Sequence, residues 1–138
     1  MSHYSDLKSH LKANSYTWLV TGVAGFIGSN LLEALLTLDQ KVIGIDNFST
    51  GHRKNLTEVE NKVSQKRWRN FEMVTGDITD YKTCCDTLVN VDYVLHQAAL
   101  GSVPRSLNDP ISTNLSNVNG FLNVLEAARR SAVLNFVY

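Results

Sequence analysis

Three glycines, Gly22, Gly25 and Gly28, separate two apolar stretches, and their spacing limits the possible folds more than any other feature of the chain. Before them lies TWLVT (Thr17–Thr21), short, apolar and partly β-branched, as expected of a strand buried on both faces. After them Ile27, Leu31, Leu32, Leu35 and Leu36 recur at helical spacing between Phe26 and Leu38. KVIGID (Lys41–Asp46) reads as a second strand, completing a β-α-β unit of about 30 residues. Gly22 permits a tight turn out of the first strand, and Gly28 lets the helix lie close against it.

The alternation continues downstream. Residues 47–70 carry Gly51, His52, Arg53, Lys54, Lys62, Lys66, Arg67 and Arg69 among sparse apolar positions and read as a surface loop and a polar, solvated helix. A third strand is expected at FEMVTGD (Phe71–Asp77), a helix at Lys82–Val89 and a fourth strand at VDYVLHQA (Val91–Ala98). The loop LGSVPRSLNDP precedes a long helix from about Ile111 to Ser131, started by Pro110, and NFVY begins a fifth strand. Strands alternating with helices across short connections imply a parallel sheet wound in the right-handed sense. The expected fold is therefore α/β, a doubly wound parallel sheet truncated in or after the fifth strand. Residues 1–15 are polar, with Tyr4, Leu7 and Leu11 at weak helical spacing, and are expected as an arm or short helix outside the core. Residues 16–138 then form one incomplete domain.

Composition excludes several function classes. Thirteen basic side chains balance thirteen acidic ones, so no net field draws the chain to nucleic acid or a membrane surface, and small-molecule partners are favoured. Cys84 and Cys85 are neighbours, which bridge only with strain; a reducing cytoplasm is expected and both are read as packing residues. No run approaches the roughly 20 apolar residues of a membrane span, and no His/Cys spacing suggests a metal. Trp18 and Trp68 are read as packing residues.

Thr21-Gly22-Val23-Ala24-Gly25-Phe26-Ile27-Gly28 stands between strand and helix, where a dinucleotide-binding loop belongs. Phosphates would meet the free N–H groups and positive end of the helix, with Gly25 admitting the pyrophosphate. Asp46 ends the second strand, where a carboxylate binds the 2′-hydroxyl of an adenosine ribose and repels a 2′-phosphate. NAD is therefore expected over NADP, although Arg53 and Lys54 nearby leave NADP open.

The G-x-x-G-x-x-G spacing within TGVAGFIGSNL resembles the opening of the extended short-chain dehydrogenases/reductases, the NAD-dependent epimerase/dehydratase family with a Rossmann-like fold. The resemblance runs from about Tyr16 to Tyr138. It implies that Gly22, Gly25, Phe26, Ile27 and Gly28 contact the cofactor. DNFSTG is similar to the family's adenosine-ribose segment, adding Asp46, Asn47, Phe48, Ser49, Thr50 and Gly51. Gly76-Asp77-Ile78 is similar to the segment packing on adenine, adding Asp77 and Ile78. HQAA is similar to the strand end beside the nicotinamide ribose, adding Gln97, Ala98 and Ala99, while His96 is expected to support that strand end and not to act as a base. Asn117-Val118-Asn119-Gly120 followed by NVLEAAR resembles the long helix behind the cofactor, with Ser116 or Asn117 facing it.

Within the family, DNFSTGHRKNL, LHQAALGSVPRSLNDP and TNLSNVNGFLNVLEAAR look most like UDP-N-acetylhexosamine 4-epimerases of bacterial surface-polysaccharide pathways. That likeness implies a UDP-sugar as partner, with Gly101, Ser102, Val103 and Arg105 as substrate contacts. It also implies transient oxidation at C4 and a homodimer in the full-length family. The catalytic pair implied is Tyr-x-x-x-Lys on a helix after the fifth strand. Only Tyr4 and Lys8 have that spacing, on the N-terminal arm, so no catalytic residue is assigned; the chain is expected to be an inactive fragment with an exposed sheet edge and poor solubility. A 4,6-dehydratase or reductase of the same family, or a non-catalytic NAD-binding module, remain the alternatives.

Overall fold

The computed structural model describes residues 3–138; Met1 and Ser2, part of the expected arm, lie outside the described residues. Five strands, β1 (Thr17–Thr21), β2 (Lys41–Asp46), β3 (Phe71–Thr75), β4 (Tyr93–His96) and β5 (Asn135–Val137), form one sheet. Their order is β3-β2-β1-β4-β5 and every pairing is parallel. This is the doubly wound, Rossmann-like α/β fold the alternation predicted.

Adjacent residues of β1 face opposite sides of the sheet, and each side has its own core. Val20 packs with Leu32, Leu35 and Leu36 of α2 (Phe26–Thr37), with Val42, and with Leu56 and Val59 of α3 (Arg53–Lys62). Leu19 packs on the other side with Ile45, Cys84 of α5 (Tyr81–Thr87) and Val124, Ala127 and Ala128 of α8 (Phe121–Arg130). Fully burying a side chain such as Leu32 or Leu36 contributes about 2 kcal/mol, so two layers of such residues hold the helices on the sheet. Trp18 and Trp68 join the first core, and Cys84 and Cys85 the second, as packing residues. The chain winds outward from β1 through β2 to β3 and then crosses back to β4 on the other side of β1, so a crevice opens above the strand C-termini between β1 and β4.

The structure departs from the sequence expectations in four places. The leading segment is a helix, α1 (His3–Ala13), that is seated and not free: Leu11 is buried. Its anchor is Gln40, fully buried, whose Nε2 donates to the carbonyls of Leu11 (2.7 Å), Asn14 (3.1 Å) and Leu38 (2.9 Å) while Oε1 accepts from Tyr16 N and Trp18 Nε1. The basic stretch after β2 holds two helices, α3 and α4 (Gln65–Trp68), and buries Leu56 and Val59 despite its polarity. The loop after β4 contains a short helix, α6 (Val103–Asn108), N-capped by Ser102. The long helix is continuous in direction but changes pitch, passing from α7 (Pro110–Asn114) through a π-helical stretch (Leu115–Gly120) into α8.

Candidate functional site

The crevice above β1 and β4 is an open cleft with a volume of about 130 Å³. Its floor begins at Gly22, where φ is +66° and a Cβ would stand 2.9 Å from the Ala98 backbone, so only glycine fits. A Cβ at Gly28 would clash with the carbonyl oxygen of Gly22, which fixes how closely α2 approaches the turn. Gly25 precedes the first turn of α2, and no side chain caps that turn. The N–H groups there are left for an anion, reinforced by the helix dipole.

Asp46 closes the opposite wall. It is buried, yet its Oδ2 accepts from Ala24 N and its Oδ1 from Phe48 N, both at 2.8 Å. Two backbone donors satisfy a charge that burial would otherwise penalise, and they fix the carboxylate in place. Each oxygen keeps a lone pair for a ligand hydroxyl. Two cations lie near this end: the Arg53 guanidinium is 4.2 Å over the Phe48 ring, and the exposed Lys54 Nζ is 3.7 Å from Glu58.

The ends of β2 and β3 are tied by side chains. Asn47 accepts from Ser49 N (2.9 Å) and donates from Nδ2 to Asp77 Oδ2 (2.7 Å). Asp77 Oδ1 accepts from the N–H and hydroxyl of Thr79, both at 2.8 Å. Desolvation, the largest single influence on Asp77, pushes its carboxyl up, but the three hydrogen bonds outweigh it and hold it below its ordinary value.

At the end of β4, Thr21 Oγ1 accepts from Gln97 N and Ala98 N, both at 3.0 Å. That bond pair presses the Gln97–Ala98 peptide against Gly22. One residue beyond Ala99, Leu100 is clamped to the π-helical stretch: Asn117 Oδ1 accepts from Leu100 N (2.7 Å) and its Nδ2 donates to Leu100 O (2.9 Å).

Thirteen of the residues expected at the cofactor line the cleft: Gly22, Gly25, Asp46, Asn47, Ser49, Thr50, Gly51, Asp77, Ile78, Gln97, Ala98, Ala99 and Ser116. The other five do not line it. Phe26 and Ile27 project outward from the first turn of α2, 83% and 57% exposed. Gly28 packs on the turn, Phe48 packs against the α2–α3 core, and Asn117 is committed to Leu100. Ile45, Gly76 and Leu100 complete the lining; each sits beside an expected residue and carried no separate signal. Gly101, Ser102, Val103 and Arg105 lie just past Leu100 on an exposed segment outside the cleft. Ser102 has φ +115°, a conformation that side chains rarely adopt and that clusters at functional segments, and Arg105 Nη1 donates to Gly101 O at 2.9 Å. Tyr4 and Lys8 are on α1, on the side of the sheet that carries α2, and neither lines the cleft; Lys8 Nζ lies 4.4 Å above the Tyr4 ring. Among the described residues no group of three His, Cys, Asp or Glu is placed to hold a metal, and no helix is long and apolar enough to cross a membrane.

Strand order, glycine turn and the fixed acid after β2 together define a Rossmann-like nucleotide-binding domain. Residues 19–137 match the family profile of GDP-mannose 4,6 dehydratase. The UDP-glucose 4-epimerase of Mycolicibacterium smegmatis is 40% identical over 121 residues, covering 87% of this chain and 37% of that protein. Among solved structures, the UDP-N-acetylglucosamine 4-epimerase of Methanobrevibacter ruminantium M1, in complex with UDP-N-acetylmuramic acid, superposes with a TM-score of 0.78 at 32% identity, over 91% of this chain and 37% of that one. The dTDP-glucose 4,6-dehydratase DesIV of Streptomyces venezuelae, with NAD and TYD bound, also gives 0.78 at 32% identity, over 88% and 38%. The chain belongs to this family, the extended short-chain dehydrogenases/reductases that work as NAD-dependent epimerases and dehydratases of nucleotide sugars. It spans little more than a third of the length of these relatives.

Proposed function

We propose that this chain is the NAD-binding portion of a nucleotide-sugar 4-epimerase of the UDP-N-acetylhexosamine class. The observation that carries the reading is the placement of Asp46: a buried carboxylate, held by two backbone N–H groups, across the cleft from the uncapped start of α2. In this reading Gly22, Gly25 and the first turn of α2, where Phe26, Ile27 and Gly28 lie, take the pyrophosphate. Asp46 takes the adenosine ribose hydroxyls, with Asn47, Phe48, Ser49, Thr50 and Gly51 shaping that end. Asp77 and Ile78 flank the adenine, while Gln97, Ala98, Ala99, Ser116 and Asn117 border the nicotinamide end. The fixed Asp46 carboxylate, which would repel a 2′-phosphate, supports NAD over NADP. NAD, when bound, supplies reversible hydride transfer at the sugar C4.

Gly101, Ser102, Val103 and Arg105 are proposed to meet the UDP-sugar from the segment after β4. The residues of this chain bind and orient; no Tyr-x-x-x-Lys pair reaches the cleft, and we assign no turnover to the 138 residues alone. A cytoplasmic location and a homodimer are part of the reading. The dimer is supported by a seam of exposed apolar residues along the long helix, Ile111, Leu115, Val118, Leu122 and Leu125, at intervals of four and three residues. A 4,6-dehydratase is the second reading, favoured by the matched family profile.

Titration calorimetry of the purified chain tests the cofactor assignment. NAD is expected to bind, NADP at least about tenfold more weakly, a gap of about 1.4 kcal/mol, and Asp46→Asn is expected to narrow the gap. Absence of NAD binding by the folded chain would overturn the proposal. Protection against thermal unfolding by UDP-N-acetylglucosamine and not by GDP-mannose separates the first reading from the second.

A further inference from the structure

We infer that His96 is a positioning residue of the cofactor site, its unprotonated Nδ1 holding the Thr21 hydroxyl in the one orientation that fastens the Gln97–Ala98 peptide against Gly22. This rests on the reading of the cleft as an NAD site.

The argument is an accounting of one oxygen. A threonine hydroxyl has one proton to donate and two lone pairs to accept with. Thr21 Oγ1 has three partners: Gln97 N and Ala98 N, both at 3.0 Å, and His96 Nδ1 at 2.9 Å. Backbone N–H groups can only donate, so both lone pairs are taken. The remaining partner must receive the proton, and only an Nδ1 without its own hydrogen can do so. His96 is therefore the neutral tautomer with hydrogen on Nε2.

The surroundings enforce that state. Thr21 is fully buried, and His96 nearly so. The ring is boxed by Phe121 of α8 in an edge-to-face contact, with centroids 5.4 Å apart, and by Phe136 of β5 in a stacked one at 5.9 Å. No charged side chain is among these partners, and burial alone drives the imidazole down to about 4. A protonated ring, or one lacking an acceptor, would turn the Thr21 hydroxyl toward a different acceptor and release the Ala98 N–H, since Gln97 N keeps a second acceptor in the Thr21 carbonyl at 3.2 Å. The peptide so released lines the cleft beside Gly22. His96 itself does not line it, so its influence is exerted through Thr21.

Two variants and one spectrum test the inference. His96→Phe keeps the aromatic packing and loses the acceptor; His96→Asn places an amide oxygen near the lost Nδ1. Long-range 1H–15N NMR of the NAD-free wild-type chain at pH 7 is expected to show His96 as the Nε2–H tautomer. His96→Phe is expected to bind NAD about tenfold more weakly, as for loss of one buried hydrogen bond, and His96→Asn to stay within about twofold of wild type. An Nδ1–H tautomer or an imidazolium at pH 7 would overturn the inference, as would wild-type affinity in His96→Phe or no rescue by His96→Asn. If the wild-type chain itself binds no NAD, the cofactor reading fails separately. The positioning role is then judged by amide exchange at Ala98, expected to be faster in His96→Phe than in His96→Asn; equal rates would refute it.

Discussion

Gly28 enters α2 directly over the carbonyl of Gly22, and Gly22 in turn lies against the backbone of Ala98. A methyl group at position 28 has to push backbone aside, so Gly28→Ala is expected to cost about 2 kcal/mol in urea unfolding and to weaken NAD binding as well. His96 makes a prediction of the opposite kind, visible only on acidification. Its folded value is lowered from 6.5 to about 4 because burial disfavours the charged ring. The unfolded chain takes up its proton as the pH falls through about 6.5, whereas the folded chain waits until about 4. The stability this residue contributes is therefore complete above that window and is lost within it, by about 3 kcal/mol at its acid end. Comparing urea midpoints of wild type and His96→Asn between pH 7 and 4.5 isolates the effect; parallel profiles would contradict it. The glycines and Asp46 were legible in the sequence because their constraints are local: a turn, a helix start and a strand end within one β-α-β unit. The hydrogen bond from Thr21 to His96 was not, since the partners lie 75 positions apart and meet only once β1 and β4 are paired.

At the scale of elements, the strands and principal helices followed from periodicity, while the exceptions arose from tertiary contacts. Apolar spacing in the long helix gives no sign of the wider turn at Leu115–Gly120. Gly120 approaches Ile78 so closely that a Cβ would stand 2.7 Å from its side chain, and Asn117 reaches back to Leu100. The family resemblance sets Ser116 or Asn117 beside the cofactor but gives no sign that both ends of the Asn117 amide bond Leu100, a contact between β4's exit and the long helix. Asn117→Ala is expected to speed amide exchange at Leu100 while lowering stability by only about 1 kcal/mol, since these bonds are solvent-accessible. Docking of α1 escaped notice for a similar reason: a single buried side chain, Gln40, supplies its polar partners, and nothing in a polar leader foretells that. Gln40→Ala strands buried donors and acceptors from three segments and is expected to cost about 2–3 kcal/mol. Limited proteolysis should then cut within His3–Ala13 before the rest of the chain; unchanged protection would count against the anchor.

For the molecule as a whole, the exposed apolar seam on the long helix is the surface expected to draw two copies together. Placing Lys at both Val118 and Leu122 is expected to reduce self-association in size-exclusion chromatography with light scattering without lowering the melting temperature, because neither side chain belongs to either core. The strand order has a further consequence, for the order of events at the ribosome. β1 lies at the centre of the sheet, yet one of its two neighbours, β4, is encoded late: the Thr17 N–H finds the Asp92 carboxylate 75 residues downstream. At about 5–20 residues per second, β1 waits roughly 4 to 15 s after its own synthesis before that partner exists. During this interval the nascent chain carries β1, β2 and β3 with the future central strand as a free edge. Slowing translation over residues 76–92 would prolong that vulnerable state, and a chaperone that covers a parallel edge would act there, before the cleft has formed.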